Sequence, residues 1–469
     1  MAPGGTHAVA NRNLALLTGP LNPSSGAFAV RRRERCGPSL RDWKLRPAWA
    51  TLSISRSMPP AADAPELPDG TAPPESGGAA SSLAPRGTWQ AALTSRTHPR
   101  VEVRATASAP LRISLAGGGT DVPPLARGIG GRVVCAAIGL HVRVTVEPFD
   151  RGWVRLEGSW GLADTSAPDT IAPDASAPGA NARSESASSA SAPETSLSAG
   201  SPPRVATLTR RADEPPATDV AFRLLEAARA ALGVEEGVCI RVESDLTPGT
   251  GLGGSAAAAV ALLAAFREAL GEPLRPQHLA THASLLEREA LGLRCGLQDQ
   301  LCAAEGGILD LRFFDDGFHL HHIDVAPDLA RELQAGLLLL DTRVRRVSGE
   351  ILDVANDGRA TDLSADLVAA ADDTARGFRL GELPLVLAGM RRSASAKLRR
   401  GGSSALPLPW IRKLATLGAV VVRACGAGGG GHVLLWADPT RHPALIEAAR
   451  PCIVRRPLLG VPGVTLVPV

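Results

Sequence analysis

The 469-residue sequence predicts an α+β fold with antiparallel hairpins, not a doubly wound parallel sheet. Three observations point to it. Two alternating, β-branched stretches separated by a glycine-rich loop precede the first helical stretch. Helical stretches later follow one another without an intervening strand. Near the end, two apolar runs flank a run of glycines as the arms of a strand pair do.

In chain order, residues 1 to about 100 lack sustained periodicity: a basic stretch from Arg31 leads into a tract of Pro, Ala, Gly and Ser. Too little apolar surface is present to offset chain entropy, so this region is expected to be an unfolded extension. No acidic residue precedes Glu34, as in a transit peptide, yet the apolar core of a secretory signal is lacking. A start at Met58 is the other reading. VEVRATASAPLRISLAG from Val101 and RVVCAAIGLHVRVTVEPF from Arg132 read as strands, and a low-complexity tract between about Leu162 and Pro203 reads as a surface insertion. Loop-closure entropy grows slowly with length, so such a tether costs little. DVAFRLLEAARAALGV has helical spacing, GVCIRVESDL alternates as a strand does, and SAAAAVALLAAFREALG and HLATHASLLEREALG read as helices. Beyond Leu329 come a strand (GLLLLDT), helical stretches (SGEILDVAND, ADLVAAADDTARGF, PLVLAGMRRSASAKLRR, WIRKLATLG), a strand pair around VVVRACGAGGGGHVLLWAD, then a helix and a strand. His319, His321 and His322 alternate along one further strand.

Composition excludes several classes of function. Hydrophobic residues at 44% and charged residues at 21% are globular, while 49 Gly, 38 Pro, 3% aromatics and no Tyr reflect the linker-like tracts. A formal charge of +3 without a basic stripe interleaved with aromatics argues against nucleic acid as a partner. No apolar run reaches membrane-spanning length. Seven scattered cysteines fit neither a zinc site nor a disulfide scaffold, which suits a reducing cytoplasm. The sequence sets no oligomeric state.

The most informative segment is ESDLTPGTGLGGSAAAAVALLAAF: a strand, a glycine-rich turn over Pro248, Gly249, Thr250, Gly251, Leu252, Gly253 and Gly254, and a helix beginning near Ser255. Glycines let backbone approach phosphate oxygens, and the unsatisfied amides of a first helical turn attract anions. Ser255 could add a hydroxyl toward phosphate or magnesium. The Walker pattern fails, because Gly254 is followed by Ser255-Ala256, and the dinucleotide pattern lacks a second strand carrying an acid to a ribose. A second cluster, Gly117-Gly118-Gly119-Thr120-Asp121, follows the strand LRISL and fits either a ligand or a turn capped by Asp121. A third runs from Gly426 through Gly428, Gly429 and Gly430 to Gly431 between two strands; four consecutive glycines imply backbone passing close to something. Asp299, in the polar turn Gly296-Leu297-Gln298-Asp299-Gln300, is a carboxylate of the kind that orients an attacking hydroxyl, or a cap. His278 and His282 have ligand spacing without a third partner, so a polar helix face is expected there.

Taken in order, PLRISLAGGGTD, PGTGLGGSAA and CGAGGGGHVLL resemble the three signature motifs of the GHMP kinases, and CGLQDQLCAAEGG resembles the stretch holding their catalytic Asp. Within that family AGGGTD, QDQ and GAGGGG look most like the D-glycero-D-manno-heptose 7-phosphate kinase branch. The resemblance covers roughly Arg104 to Val469 without the insertion. It implies a two-lobed fold: a ribosomal-protein-like βαβ lobe over 101–326 and a ferredoxin-like lobe over 327–469. It implies an ATP- and Mg2+-dependent sugar or sugar phosphate kinase, acting at the anomeric hydroxyl as that branch does. Asp299 would activate the acceptor, Ser255 and Glu287 would hold magnesium, with Glu289 as the alternative, and Pro248 to Ser255 would wrap ATP. Arg112 would balance charge near the transferred group. Gly118, Gly119, Thr120 and Asp121 would meet the sugar, Gly428, Gly429 and Gly430 would floor the cleft, and Arg346, with Arg343 and Arg345, would meet an acceptor phosphate. One departure is visible: where the family usually reads GLGSS, Gly254 replaces the first serine. A kinase for another sugar, a non-catalytic nucleotide or sugar sensor and an NAD-binding oxidoreductase are the competing functions.

Overall fold

The computed structural model describes residues 99–122, 130–162 and 204–468, apart from 274, 294, 315–316, 345–359, 400–407, 427 and 429. The expected unfolded extension up to residue 98, Met58, the insertion over 163–203, the helical stretch SGEILDVAND, Arg345, Arg346 and Gly429 lie outside the described residues.

The larger sheet is built on two long strands, β1 (Ala105–Ala116) and β2 (Gly131–Pro148), paired antiparallel. Every residue of β1 is buried, which requires cover on both faces. Pro110 cannot donate to the ladder, and the register shifts beside it, between Pro110 and Leu111. β2 is long enough to change partners. Its first half pairs with β6 (Ile308–Phe313), which pairs in turn with β7 (Phe318–His322), and its second half pairs with β5 (Val238–Ser244). Beyond β5 lie β3 (Trp153–Trp160), parallel to it, and β4 (Arg204–Arg211). At the other edge the chain's last strand, β12 (Thr465–Val467), returns to pair with β1. The smaller, antiparallel sheet has the order β11 (Ile453–Arg455), β8 (Leu337–Asp341), β10 (His432–Trp436), β9 (Val421–Ala424).

Nine α-helices are described: α1 (Val220–Ala231), α2 (Gly254–Ala269), α3 (Pro276–Leu285), α4 (Gln298–Glu305), α5 (Pro327–Gly336), α6 (Ala360–Leu380), α7 (Leu383–Arg399), α8 (Leu408–Thr416) and α9 (His442–Ala448). α2 is alanine-rich, and Leu262, Leu263 and Phe266 are all buried, so it serves as the central helix against β1 and β2. α6 and α7 pair with each other; α6 packs on the same two strands, and α7 on β1 and β9. One apolar core therefore runs from Leu111 and Ile113 through Phe266 to Ala371, Met390 and Leu434. No described helix is long and apolar enough to cross a membrane.

The expected strands and helices are found where the chain is described, and mixed α and β content with mainly antiparallel sheets is the α+β class predicted. β3, β4, β6, α4, α5 and a second strand after α9 are additions that periodicity did not isolate. The segment HLATHASLLEREALG is a helix whose last turn widens into a π-helical stretch, Leu286–Ala290.

Candidate functional site

The turn before α2 is shaped by three glycines. Gly249, Gly251 and Gly253 have φ of 81°, 79° and 76°, the left-handed region that only glycine enters freely. Thr250 and Leu252 between them are buried, so the alternation anchors two side chains and leaves the glycines on the open side. The turn's carbonyls point into the protein: Leu252 O accepts the Arg112 amide (3.0 Å), Gly251 O accepts Arg112 Nη1 (2.8 Å) and Thr250 O accepts the His432 amide (3.0 Å). Gly253 caps α2 without a side chain, which leaves the first-turn amides available to an anion.

Arg112, in the middle of β1, joins this turn to Asp299. Its Nε and Nη2 donate to the two carboxylate oxygens at 2.6 and 2.5 Å, a fork-to-fork pair that fixes the plane of the carboxylate. The arginine side chain is 7% exposed and the aspartate 32%, so the acid is the open end of the pair. Burial alone would lower the Arg112 pKa; the facing Asp299 outweighs it and raises it. Asp299 stands in the first turn of α4 and not in the open turn expected from its flanking residues. A carboxylate is favoured there by the helix dipole, and an eight-residue helix is too short to announce itself by periodicity.

Ser255 and Glu287 meet. Ser255 Oγ donates to Glu287 Oε1 (2.5 Å), and Gln300 Nε2 donates to Oε2 (2.6 Å). Glu287 is buried in the π-helical segment, and burial above all raises its pKa to about 7. Glu289 is exposed, so the open choice between the two acids falls on Glu287 by placement. A hard cation asks for oxygen donors, one or two of them carboxylates, with phosphate and water completing the shell. The Ser255 hydroxyl and Glu287 carboxylate are such donors, and the neighbouring Gln300 Oε1 is a buried acceptor without a hydrogen-bond partner. The donor set fits Mg2+. Among the described residues no cluster of three His, Cys, Asp or Glu forms a metal site by itself.

In the first glycine loop, Gly117 has φ of 76° and abuts the Arg132 carbonyl, and Gly118 abuts Ser114 Oγ, so neither position has room for a Cβ. Thr120 is fully buried. Its hydroxyl donates to Gly117 O (2.9 Å) and accepts from the Arg132 amide (3.1 Å), so it holds the loop. Asp121 accepts from the amides of Gly119 (3.2 Å) and Gln298 (3.1 Å), and thereby caps α4, the helix of Asp299. Burial first, then Asp299, raises the Asp121 pKa.

The third loop presses on the second. Gly430 and Gly431 have φ of 138° and 79°; a Cβ on Gly431 would strike the Thr250 carbonyl, and one on Gly430 would meet Val344. The close approach implied by four glycines is therefore to the phosphate-loop candidate itself. Arg343 has a left-handed φ of 60°, with its amide on Asp341 Oδ1 (2.8 Å). His282 is half-buried with its pKa lowered to about 4 by burial, and the three His of β7 are exposed.

Four groups escaped sequence reasoning. Gln298 is buried beside Gly118 with an unpartnered Nε2, and Gln300 holds Glu287. Both stood in the quoted GLQDQ, but a side chain's direction is not encoded in spacing. Lys397 on α7 donates to Gly426 O (3.0 Å), and Arg423 on β9 donates to Leu115 O and Ser114 Oγ. Arg423 is a lone cation in an apolar run and Lys397 is one of several cations in RRSASAKLRR, and neither stands in a motif that flags it.

Comparison with known proteins bears on this arrangement. Residues 219–307 match the family model of the GHMP kinases N terminal domain. The chain is 31% identical over 216 residues to D-glycero-alpha-D-manno-heptose 7-phosphate kinase of Campylobacter jejuni, covering 44% of this chain and 63% of that protein. It is 30% identical over 208 residues to mevalonate kinase of Aeropyrum pernix, covering 42% and 59%. The matches thus span less than two thirds of the length of either curated relative. In three dimensions the chain resembles the crystal structure of a D-glycero-D-manno-heptose 1-phosphate kinase from Bacteriodes thetaiotaomicron, with TM-score 0.55 and 21% identity over 78% of this chain and 99% of that one. The motif resemblance is borne out, as is the α+β architecture of two lobes.

Proposed function

We infer that this chain, which carries the N-terminal domain of the GHMP kinases within the fold of that family, transfers the γ-phosphoryl group of ATP to a hydroxyl of a sugar or sugar phosphate. The leading acceptor is D-glycero-D-manno-heptose 7-phosphate, converted to the 1,7-bisphosphate; the named activity of the Campylobacter relative supports it. The lobes are taken as 101–326 and 327–469, with ATP and acceptor meeting between the glycine loops, and the described cysteines, all free thiols, suit a cytoplasmic protein.

The observation that carries the proposal is the Arg112 fork, which holds both oxygens of Asp299 while its third nitrogen grips Gly251 of the glycine turn. One buried side chain thereby sets the distance between a carboxylate and the turn that is suited to a triphosphate. In the reaction the acceptor oxygen attacks the γ-phosphorus, the bond to the bridging oxygen of ADP breaks, and the hydroxyl proton passes to Asp299. Glycines 249, 251 and 253 and the first amides of α2 receive phosphate oxygens, and Arg112 offsets charge beside the transferred group. Ser255 and Glu287 would hold Mg2+, which neutralises phosphate charge when bound. Asp121 holds α4 in place and is offered to sugar hydroxyls along with the loop from Gly118.

Purified protein screened with ATP and Mg2+ against sugars and sugar phosphates, with ADP release as readout, tests this. Heptose or hexose phosphates are expected to lead. Absence of acceptor-dependent ADP release across the panel would refute the proposal.

A further inference from the structure

Two cations beside the first and third glycine loops have no ion-pair partner among the described residues. Arg423 is 3% exposed; its terminal nitrogens bond the Leu115 carbonyl and Ser114 Oγ, and its Nε has no partner. Lys397 is half-buried in the last turn of α7. One turn earlier on the same helix, Ser393 Oγ accepts the Gly117 amide (3.2 Å), so this face of α7 lies on the first loop, while Lys397 Nζ donates to Gly426 O of the third. Among the described residues no ion pair joins a carboxylate to either cation. Asp299 is engaged by Arg112 and Asp121 by two amides.

Positive charge is thus concentrated where loops one and three meet. Burial, then the like charges of Arg423 and Arg112, hold the Lys397 ammonium well below its usual pKa, and burial brings Arg423 down to about 10. A desolvated cation whose direct hydrogen-bond partner is a neutral carbonyl, with Asp121 acting on it only through space, is unfavourable in the unliganded protein, and an anion arriving there removes the penalty. Three lysines occur in the whole chain, at 44, 397 and 413, so a compact, rotatable point charge at this position stands out against the arginines used elsewhere.

We propose that Lys397, backed by Arg423, receives the phosphate group that the acceptor already carries, so that this site selects phosphorylated over unphosphorylated sugars. The nucleotide's phosphates are the other conceivable source of the anion. They are disfavoured because α7 bonds the third loop through Lys397 and the first through Ser393, whereas the turn suited to ATP is bonded by Arg112 and His432. The inference rests on the sugar-kinase function and specifies its substrate class.

The test is Lys397→Met assayed with D-glycero-D-manno-heptose 7-phosphate and with the parent heptose. The preference for the phosphorylated sugar, as a ratio of kcat/KM values, should fall at least about tenfold, the size expected for one lost charge-assisted hydrogen bond. An unchanged preference, or one within twofold of normal with a raised KM for ATP, overturns the proposal. A second measurement needs no variant and no turnover: acetylation of Lys397 by acetic anhydride, followed by mass spectrometry in the unaltered protein. Sugar phosphates should protect it and ATP alone should not; protection by ATP alone, or by neither, overturns the assignment. Protection by sugar phosphates without any ADP release would leave the phosphate site standing and remove the kinase proposal.

Discussion

Replacing Asp299 by Asn separates the two jobs its carboxylate is given. The side chain keeps its shape and one acceptor oxygen for Arg112, but loses its charge and one of the two bonds at 2.5 and 2.6 Å. Breaking a fully buried pair costs about 3–5 kcal/mol, because a charge is left without its partner. Here the acid is 32% exposed and Arg112 keeps the Gly251 carbonyl, so water and that carbonyl absorb much of the loss. A destabilisation of about 1–2 kcal/mol follows, or a fall in Tm of about 2–8 °C for a domain of this size. The catalytic effect should be far larger: without a base to take the hydroxyl proton, kcat should drop about 10²–10⁴-fold. The assay is ADP release at saturating ATP and acceptor, beside a thermal-shift titration with ATP that shows nucleotide binding persists. A kcat within tenfold of the unaltered enzyme, in a folded variant that still binds ATP, would refute the assignment of Asp299 as base.

Arg112→Lys keeps the charge but cannot span both carboxylate oxygens and the Gly251 carbonyl at once, so activity should fall at least about tenfold with little change in net charge; near-normal kcat/KM would show that charge alone suffices. Glu287 should make the metal-free protein less stable as pH rises. With its pKa raised to about 7 against an ordinary 4.5, the folded chain keeps a proton that the unfolded chain has released, so stability falls between about pH 4.5 and 7, by up to about 3 kcal/mol. Glu287→Gln should flatten that part of a Tm-against-pH curve, leaving a residual slope of the same sign from Asp121, and an unchanged slope would contradict the burial described. Gly254→Ser restores the hydroxyl usual in the family at a position where a Cβ meets nothing within 4 Å, so stability should stay within about 0.5 kcal/mol and the KM for ATP should hold or fall; a rise in that KM would show that the open space is used by the nucleotide.

The glycine loops were legible because several of their glycines answer a backbone requirement. Gly431 abuts a carbonyl, Gly117 has both a positive φ and a carbonyl at its Cβ position, and Gly249, Gly251 and Gly253 share the left-handed region. Long periodic elements such as α2 and the two halves of β2 were legible for the usual reason, burial on a regular period. The hairpin of β3 and β4 was not, since the low-complexity tract falls between its strands and removes the short turn that signals a hairpin. Lys397 was illegible for a different reason. Its contact with Gly426 joins positions 29 residues apart, and the contact of Ser393 with Gly117, which brings α7 to the first loop, spans 276.

Of the two meanings weighed for Asp121, cap or ligand, the cap is the one its hydrogen bonds display. Its carboxylate caps α4 through the Gln298 amide, and α4 is the element that presents Asp299 to Arg112. The first glycine loop is thus built into the support of the carboxylate proposed to meet the acceptor hydroxyl, and Thr120 fixes that loop to β2 through the Arg132 amide. A change in the bend of this loop would be transmitted to Asp299 through one hydrogen bond of 3.1 Å and the helix behind it. This gives AGGGTD and GLQDQ a physical reason to occur in one chain: the last residue of the first motif completes the helix terminus of the second, so neither can drift in position without displacing the other.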